Sequence, residues 1–345
     1  FNFTGIMNIL ITGAAGFIGF HTANLLLSSK YLVYGIDSLN NYYDVSIKKE
    51  RIKILNKNWG KNFKFYKNNL MSERYLLNFI NKNNIKIIIH LAAQAGVRHS
   101  LKKPMDYVQN NIVSTTNLME ASRKSKKIKH FLLASTSSVY ASSKKAPFNE
   151  NDPADFPLQF YAATKRSTEL MAHSFSHLYN IPFTILRFFT VYGPLGRPDM
   201  ALFKFTKNIL NNKQIEVYNN GNHIRDFTYV TDIAKAIKKL INKIPKNNEL
   251  FKLNKKISHY SNAKLRIVNI GNGDPQKLED YIKKIEKYTN SKAKRKYLPF
   301  QIGDALATSA NVNKLGKITK FKPKVKIDEG IKNFVKWYKT FYNFR

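Results

Sequence analysis

The sequence predicts an α/β protein built on a doubly wound parallel sheet, with a smaller α/β lobe formed by the C-terminal part of the chain. Short apolar runs rich in β-branched residues alternate with segments whose apolar residues recur at helical spacing, as in parallel strands joined by crossover helices. The first run leads through a glycine-rich turn straight into the first helical pattern. After Tyr192 the pattern changes to a Gly- and Pro-containing loop, YGPLGRPDM, followed by shorter elements, so a boundary is expected there, with residues 7–191 and 192–345 on its two sides. A chain of 345 residues is long enough for two such lobes and for a site between them.

From Asn8 the segment NILITGAAGFIGFHTANLLLSS reads as strand, glycine loop and helix, with helical spacing continuing through Leu27. A second buried strand runs from Tyr31 to Ile36 and ends at Asp37. A helical pattern around Glu73 to Asn81 precedes a further strand in IKIIIHLAAQ, Ile85 to Gln94. KHFLLASTSSVY is a strand that runs into a Ser/Thr cluster, FYAATKRSTELMAHSFSHLYN a long helix starting near Tyr161, and IPFTILRFF the next strand. The helix after Tyr229, near residues 230–243, is expected to pack back onto the larger domain. The Lys/Asn-rich stretch from Lys246 to Lys264 reads as an exposed loop or insertion.

Hydrophobic residues make up 43% of the chain but come in short runs, so neither a membrane span nor a long disordered chain is expected. Phe1 to Ile6 is too short for the charged and apolar regions of a secretory signal, and a cytoplasmic protein is expected. The absence of cysteine excludes disulfides, thiolate metal ligands and cysteine nucleophiles, and no metal site is expected. The net charge of +36 would attract nucleic acid or an anionic surface, but the lysines are spread among Asn and Ile instead of clustering with aromatics. They read as a solvated basic surface, without a specific nucleic-acid partner.

Gly13, Gly16 and Gly19 form G-x-x-G-x-x-G between strand and helix, where missing Cβ atoms let the backbone turn sharply and approach a pyrophosphate at the helix N-terminus. Asp37, at the end of the second strand, stands where a carboxylate accepts hydrogen bonds from an adenosine ribose diol and repels a 2′-phosphate, which favours NAD over NADP. This is the pattern of a Rossmann-type dinucleotide domain, and Phe17 and Ile18, inside the glycine motif, are counted with its cofactor-binding residues. Tyr161 and Lys165 make a Y-x-x-x-K pair that one helical turn places on the same face. An ammonium beside the phenol favours the phenolate and brings the tyrosine toward the working range of a general base.

Together with the strand ending in Ser135, Thr136, Ser137 and Ser138, these motifs resemble the extended short-chain dehydrogenase/reductase family over nearly the whole chain from Met7. The resemblance implies that Thr136 completes a Thr-Tyr-Lys catalytic set by bridging a substrate 4-hydroxyl to Tyr161. It also implies that Ala92, Ala93, Gln94 and Ser135 line the cofactor site, that Asn69 and Leu70 stand near the adenine, and that Asn111, counted with the cofactor-binding residues, belongs to the supporting network near the active site. A homodimer paired through helices around Asn111 to Ser122 and Ala162 to Tyr179 is a further implication.

FFTVYGPLGRPDMALFKF, Phe188 to Phe205, and HIRDFTYVTDI are similar to the corresponding segments of UDP-glucuronate 4-epimerases. The resemblance implies a UDP-sugar substrate, with Arg225 at the diphosphate and Asp304, in QIGD, near the uridine ribose. Arg98 is placed with the substrate contacts, and Ser137, Ser138, Thr190 and Arg197 around a sugar carboxylate. The implied reaction is transient oxidation at carbon 4, with Tyr161 taking the hydroxyl proton, rotation of the keto sugar and reduction on the other face. UDP-glucuronate decarboxylation, 4-epimerisation of neutral UDP-hexoses and a nucleotide- or RNA-binding role on the same fold are the alternatives. Dehydration fits poorly, because Ser137 and Ser138 occupy the places of an acid–base Asp-Glu pair. Three positions depart from the family pattern: Asn69 replaces an Asp, Ala141 a glycine, and His99 stands where an aromatic hydroxyl is frequent.

Overall fold

A computed structural model describes residues 7–143, 145–247, 261–301 and 303–344. The strands, in chain order, are β1 (Asn8–Thr12), β2 (Leu32–Asp37), β3 (Phe63–Lys67), β4 (Ile87–His90), β5 (His130–Thr136), β6 (Phe183–Phe188), β7 (Thr190–Tyr192), β8 (Gln214–Tyr218), β9 (Ile224–Tyr229), β10 (Leu265–Ile270), β11 (Pro275–Lys277) and β12 (Lys294–Leu298). Seven of them form one parallel sheet in the order β10-β6-β5-β4-β1-β2-β3. This is the doubly wound Rossmann-type arrangement. The chain leaves β1 in one direction to build β2 and β3 and returns to the other side of β1 to build β4. A crevice opens where the order reverses, outside the carboxyl ends of β1 and β4.

The continuous apolar strands follow from coverage on both faces. In β1, Ile9 and Ile11 enter one hydrophobic cluster and Leu10 the other; in β4, Ile87 and Ile89 part in the same way from Ile88. A strand packed by helices on both sides has no polar face to alternate with. β3, FKFYK, shows the opposite pattern, with exposed lysines on a strand at the sheet edge. The lysines that protect the edge also obscured this strand in the sequence.

The C-terminal lobe contains the sheets β11-β9-β7 and β12-β8. The helix Val230–Ile241 packs against the helix Phe17–Leu27 of the larger domain, burying Ile233, Ile237 and Leu240 in the same cluster as Ala23 and Leu26. The division expected at residue 192 is less clean than the sequence suggests. β10, far beyond it, pairs in parallel with β6 and completes the central sheet. Within the stretch Lys246 to Lys264, residues 248–260 lie outside the described residues, as do residues 1–6. Among the described residues no helix is long and apolar enough to cross a membrane, and no group of three or more His, Cys, Asp and Glu side chains is placed to hold a metal.

Candidate active site

One cleft of about 820 Å³ runs along the crevice and continues between the sheet and the C-terminal lobe. At one end lies the glycine turn. Gly13 has φ +73°, and a Cβ there would stand 2.7 Å from the Ala92 backbone nitrogen at the end of β4. A Cβ on Gly16 would stand 2.9 Å from the Gly13 carbonyl oxygen, and one on Gly19 would overlap that oxygen. No side chain caps the first turn of the helix Phe17–Leu27, so its leading N–H groups face the cleft mouth unmet by side chains. Asp37 braces the loop, accepting from Ala15 N at 3.0 Å and Leu39 N at 2.9 Å, and each carboxylate oxygen keeps a further lone pair for a diol. A cradle that a Cβ would fill, at an uncapped helix N-terminus, beside an acceptor carboxylate, fits the diphosphate and ribose of NAD.

Phe17, Ile18, Asn69, Leu70, Ala92, Ala93 and Gln94 also line the cleft. The Asn69 side-chain carbonyl accepts from Met71 N at 3.1 Å, a turn that an aspartate would make equally well, which accounts for the tolerance of Asn there. Asn111 is the exception among the expected cofactor residues. It is buried behind the cleft wall in a π-helical turn, Val108–Val113, where Oδ1 accepts from Gln94 N at 2.7 Å and Nδ2 donates to Gln94 O and to the Thr164 hydroxyl. Thr164 in turn donates to the Tyr161 carbonyl at 2.8 Å. Asn111 therefore ties the Gln94 segment to the helix Phe160–Tyr179, with both amide protons committed to these bonds, and it is not among the residues that line the cleft. π-turns cluster at functional sites, but sequence periodicity does not mark them.

Tyr161 and Lys165 face the middle of the cleft from the helix Phe160–Tyr179, with Thr136 opposite at the end of β5. Burial lowers the Lys165 pKa to about 8, against the pull of the Glu169 carboxylate. Burial also holds the Tyr161 phenol above its ordinary value, against the opposing pull of Arg197 and a hydrogen bond with Thr136, so the lowering expected from the sequence is not seen. The Thr136 hydroxyl accepts from Ser138 N at 3.1 Å, capping the 3₁₀ turn Ser137–Tyr140 and setting both serines on the cleft wall. Ala141 ends that turn with right-handed φ −58° and ψ −24°, so no glycine is required there.

Behind Thr136, Tyr161 and Lys165 lies a buried ionic network that the sequence did not announce. Glu169 accepts from the Ser135 hydroxyl at 2.5 Å, from Arg187 Nε at 2.9 Å and Nη2 at 2.6 Å, and from Arg166 at 3.0 Å. Burial pushes the Glu169 carboxyl up, but Arg187, Ser135 and Arg166 together outweigh it and hold the group below its ordinary value. The Ser135 proton is thus committed to Glu169, which leaves its oxygen to the cofactor region as an acceptor only. Glu169→Gln should destabilise the protein by about 3–5 kcal/mol, because Arg187 would stay buried without its counter-charge. Urea unfolding measures this, and a loss under 1 kcal/mol would show that water or Tyr140 compensates.

At the far end Arg197 makes a two-point ion pair with Asp199, Nε to Oδ1 at 3.0 Å and Nη2 to Oδ2 at 2.5 Å. Thr190, Ser137 and Ser138 line the same cleft. Under the C-terminal lobe, Arg98 lies 4.2 Å over the Tyr218 ring and 3.9 Å from the Asp304 carboxylate. Arg225 donates to the Ile224 and Leu306 carbonyls and meets His223 Nδ1 at 3.2 Å. Tyr42, Lys48, Asp199, Lys204 and Tyr218 are cleft residues that sequence reasoning missed. The run NNYYD was a signal for Tyr42, as binding residues concentrate on loops held by a rigid scaffold. His99 packs edge-on to the Tyr42 ring, with ring centres 5.0 Å apart, and approaches Asp106 at 3.6 Å.

A family model described as GDP-mannose 4,6 dehydratase matches residues 10–334. The chain is 39% identical over 331 residues to the UDP-glucuronate 4-epimerase of Thermodesulfobacterium geofontis, covering 96% of this chain and 95% of that protein. It is 44% identical over 337 residues to a probable UDP-glucuronate 4-epimerase of Rhizobium meliloti, covering 97% and 98%. The crystal structure of a UDP-glucuronic acid 4-epimerase from Bacillus cereus, in complex with UDP-glucuronic acid and NAD, superposes with a TM-score of 0.85 at 32% identity, covering 97% of this chain and 100% of that one. The glycine cradle, the Thr-Tyr-Lys set and these matches along the whole chain place the protein in the extended short-chain dehydrogenase/reductase family.

Proposed function

We propose that the protein interconverts UDP-glucuronate and UDP-galacturonate by NAD-dependent epimerisation at carbon 4. The observation that carries this reading is the placement of Thr136, Tyr161 and Lys165 in one cleft with both the glycine cradle and a group able to meet a carboxylate, Ser137, Ser138, Thr190 and Arg197. The likeness to enzymes that carry the same activity in their names supports it. Residues 7–191 would hold the cofactor and residues 192–345 most of the UDP-sugar, with Arg225 toward the diphosphate and Asp304 toward the ribose.

NAD, when bound, supplies a reversible hydride acceptor. Tyr161 accepts the proton of the 4-hydroxyl as the alcohol is oxidised and returns it when the ketone is reduced on its other face, so the proton balance closes on one residue. Lys165, protonated up to about pH 8, stabilises the phenolate that is present before the proton is taken and again after it is returned. Thr136 holds the hydroxyl in line with Tyr161, and the walls of the cleft keep water from the 4-keto sugar. Ser137 and Ser138 supply no carboxyl group for dehydration. The proposed enzyme is cytoplasmic and a homodimer. Leu170 and Leu178, exposed apolar residues on the helix Phe160–Tyr179, support that helix as part of the contact.

Incubating the purified protein with UDP-glucuronate and no added cofactor should yield UDP-galacturonate by proton NMR. A UDP-pentose would instead make it a decarboxylase with the same base, and an inert mixture at stoichiometric bound NAD would overturn the assignment.

A further inference from the structure

Arg197 is the cation nearest in role to a sugar carboxylate, yet the structure already gives it a carboxylate. Asp199 takes the Nε–Nη2 edge of the guanidinium, which leaves the Nη1 amino group outside the pair. Neither partner is free to swing far. Arg51, fully buried, donates to the carbonyls of Leu195 at 2.7 Å and Gly196 at 3.3 Å, fixing the loop just before Arg197. The Tyr42 hydroxyl, from a segment 157 positions away, donates to Asp199 Oδ2 at 3.3 Å. The aspartate is thus braced in place among the cations Arg197 and Lys204.

An arginine held in this way can engage a second carboxylate through its remaining edge, but with its positive charge already offset. That matters for a reaction in which the sugar must let go and turn. Tight binding of the carboxylate in both orientations would lower KM without raising kcat, and would hold back the rotation that inversion needs.

We infer that Asp199 is a specificity-determining residue: an internal counter-carboxylate that orients Arg197 and moderates its grip on the acidic sugar. The inference rests on the proposed substrate class. It predicts a selective effect, since a neutral UDP-hexose has no carboxylate to feel the change.

Asp199→Asn keeps the size of the side chain and removes its charge. Calorimetric titration of the NAD-loaded enzyme should show UDP-glucuronate binding about five- to tenfold tighter than in the wild type, with UDP-glucose changed less than twofold. Turnover of UDP-glucuronate should fall at the same time, so KM and kcat drop together. Asp199→Ser should tighten UDP-glucuronate in the same direction, and the addition of Arg197→Ala to Asp199→Asn should abolish the preference. Equal shifts for both sugar nucleotides, or weaker binding of UDP-glucuronate, would overturn the inference and leave Asp199 a structural residue. The substrate assignment fails on different evidence, a wild-type enzyme that binds UDP-glucuronate but does not epimerise it; the affinity ratios would still decide the role of Asp199.

Discussion

Tyr161→Phe should lower kcat for 4-epimerisation by about 10³-fold, within the range that loss of a positioned general base ordinarily costs. The aromatic ring remains to fill its place against Tyr107, whose ring centre lies 6.0 Å away, so folding and cofactor retention should be unchanged. The substitution removes only the oxygen that carries the proton. Thr136 cannot replace it, because the Thr136 hydroxyl is already engaged with Ser138 and has an alcohol's reluctance to ionise. Following UDP-galacturonate by NMR, with bound NAD measured on the same samples, separates catalysis from binding. Residual activity above a tenth of the wild type would mean that the proton leaves through another group.

Gly19→Ala should give a protein that purifies without NAD and unfolds at lower temperature. Alanine is favoured over glycine inside a helix by about 1 kcal/mol, which taken alone would stabilise the helix Phe17–Leu27. The new methyl would overlap the Gly13 carbonyl oxygen, and that obstacle is backbone in a turn with φ +73°, with no flexible side chain to move aside. Overpacking of this kind costs about 1–3 kcal/mol and displaces the segments involved, so the clash wins over the propensity. Because Gly13 and the helix N-terminus are the cradle itself, the displacement also removes the geometry that receives the diphosphate. Release of nucleotide on denaturation and a thermal melt measure the two effects. An alanine variant with full NAD and an unchanged melt would show that the helix approaches the loop less closely than described.

Much of the fold and most of the site were legible in the residues, for reasons that differ from one feature to the next. β1 and β4 were visible because strands buried on both faces carry a continuous apolar run, and the ILI of NILIT and the III of IIIH supply one. The glycine loop, Asp37 and the Y-x-x-x-K pair were visible because each obeys a constraint local in sequence: a turn without Cβ atoms, a strand end, one turn of helix. β3 and β10 escaped. In the first, lysines on an edge strand broke the apolar pattern, and in the second LRIVNI follows a Lys/Asn-rich stretch that reads as loop.

Local constraints on backbone shape and helical spacing are written along the chain, and so the sequence alone determined the α/β class, the glycine cradle and the tyrosine–lysine pair proposed as catalytic. Pairing between distant segments is decided only when the chain closes, since the same Asp, Arg or Tyr can face solvent, a ligand or another side chain. The tertiary structure placed β10 beside β6, buried Asn111 behind the cleft wall, joined Glu169 to Arg187 across 18 positions, and set Asp199 against Arg197 with Tyr42 reaching it across 157. Charge compensation depends on distance in space, on which a one-dimensional pattern carries little information.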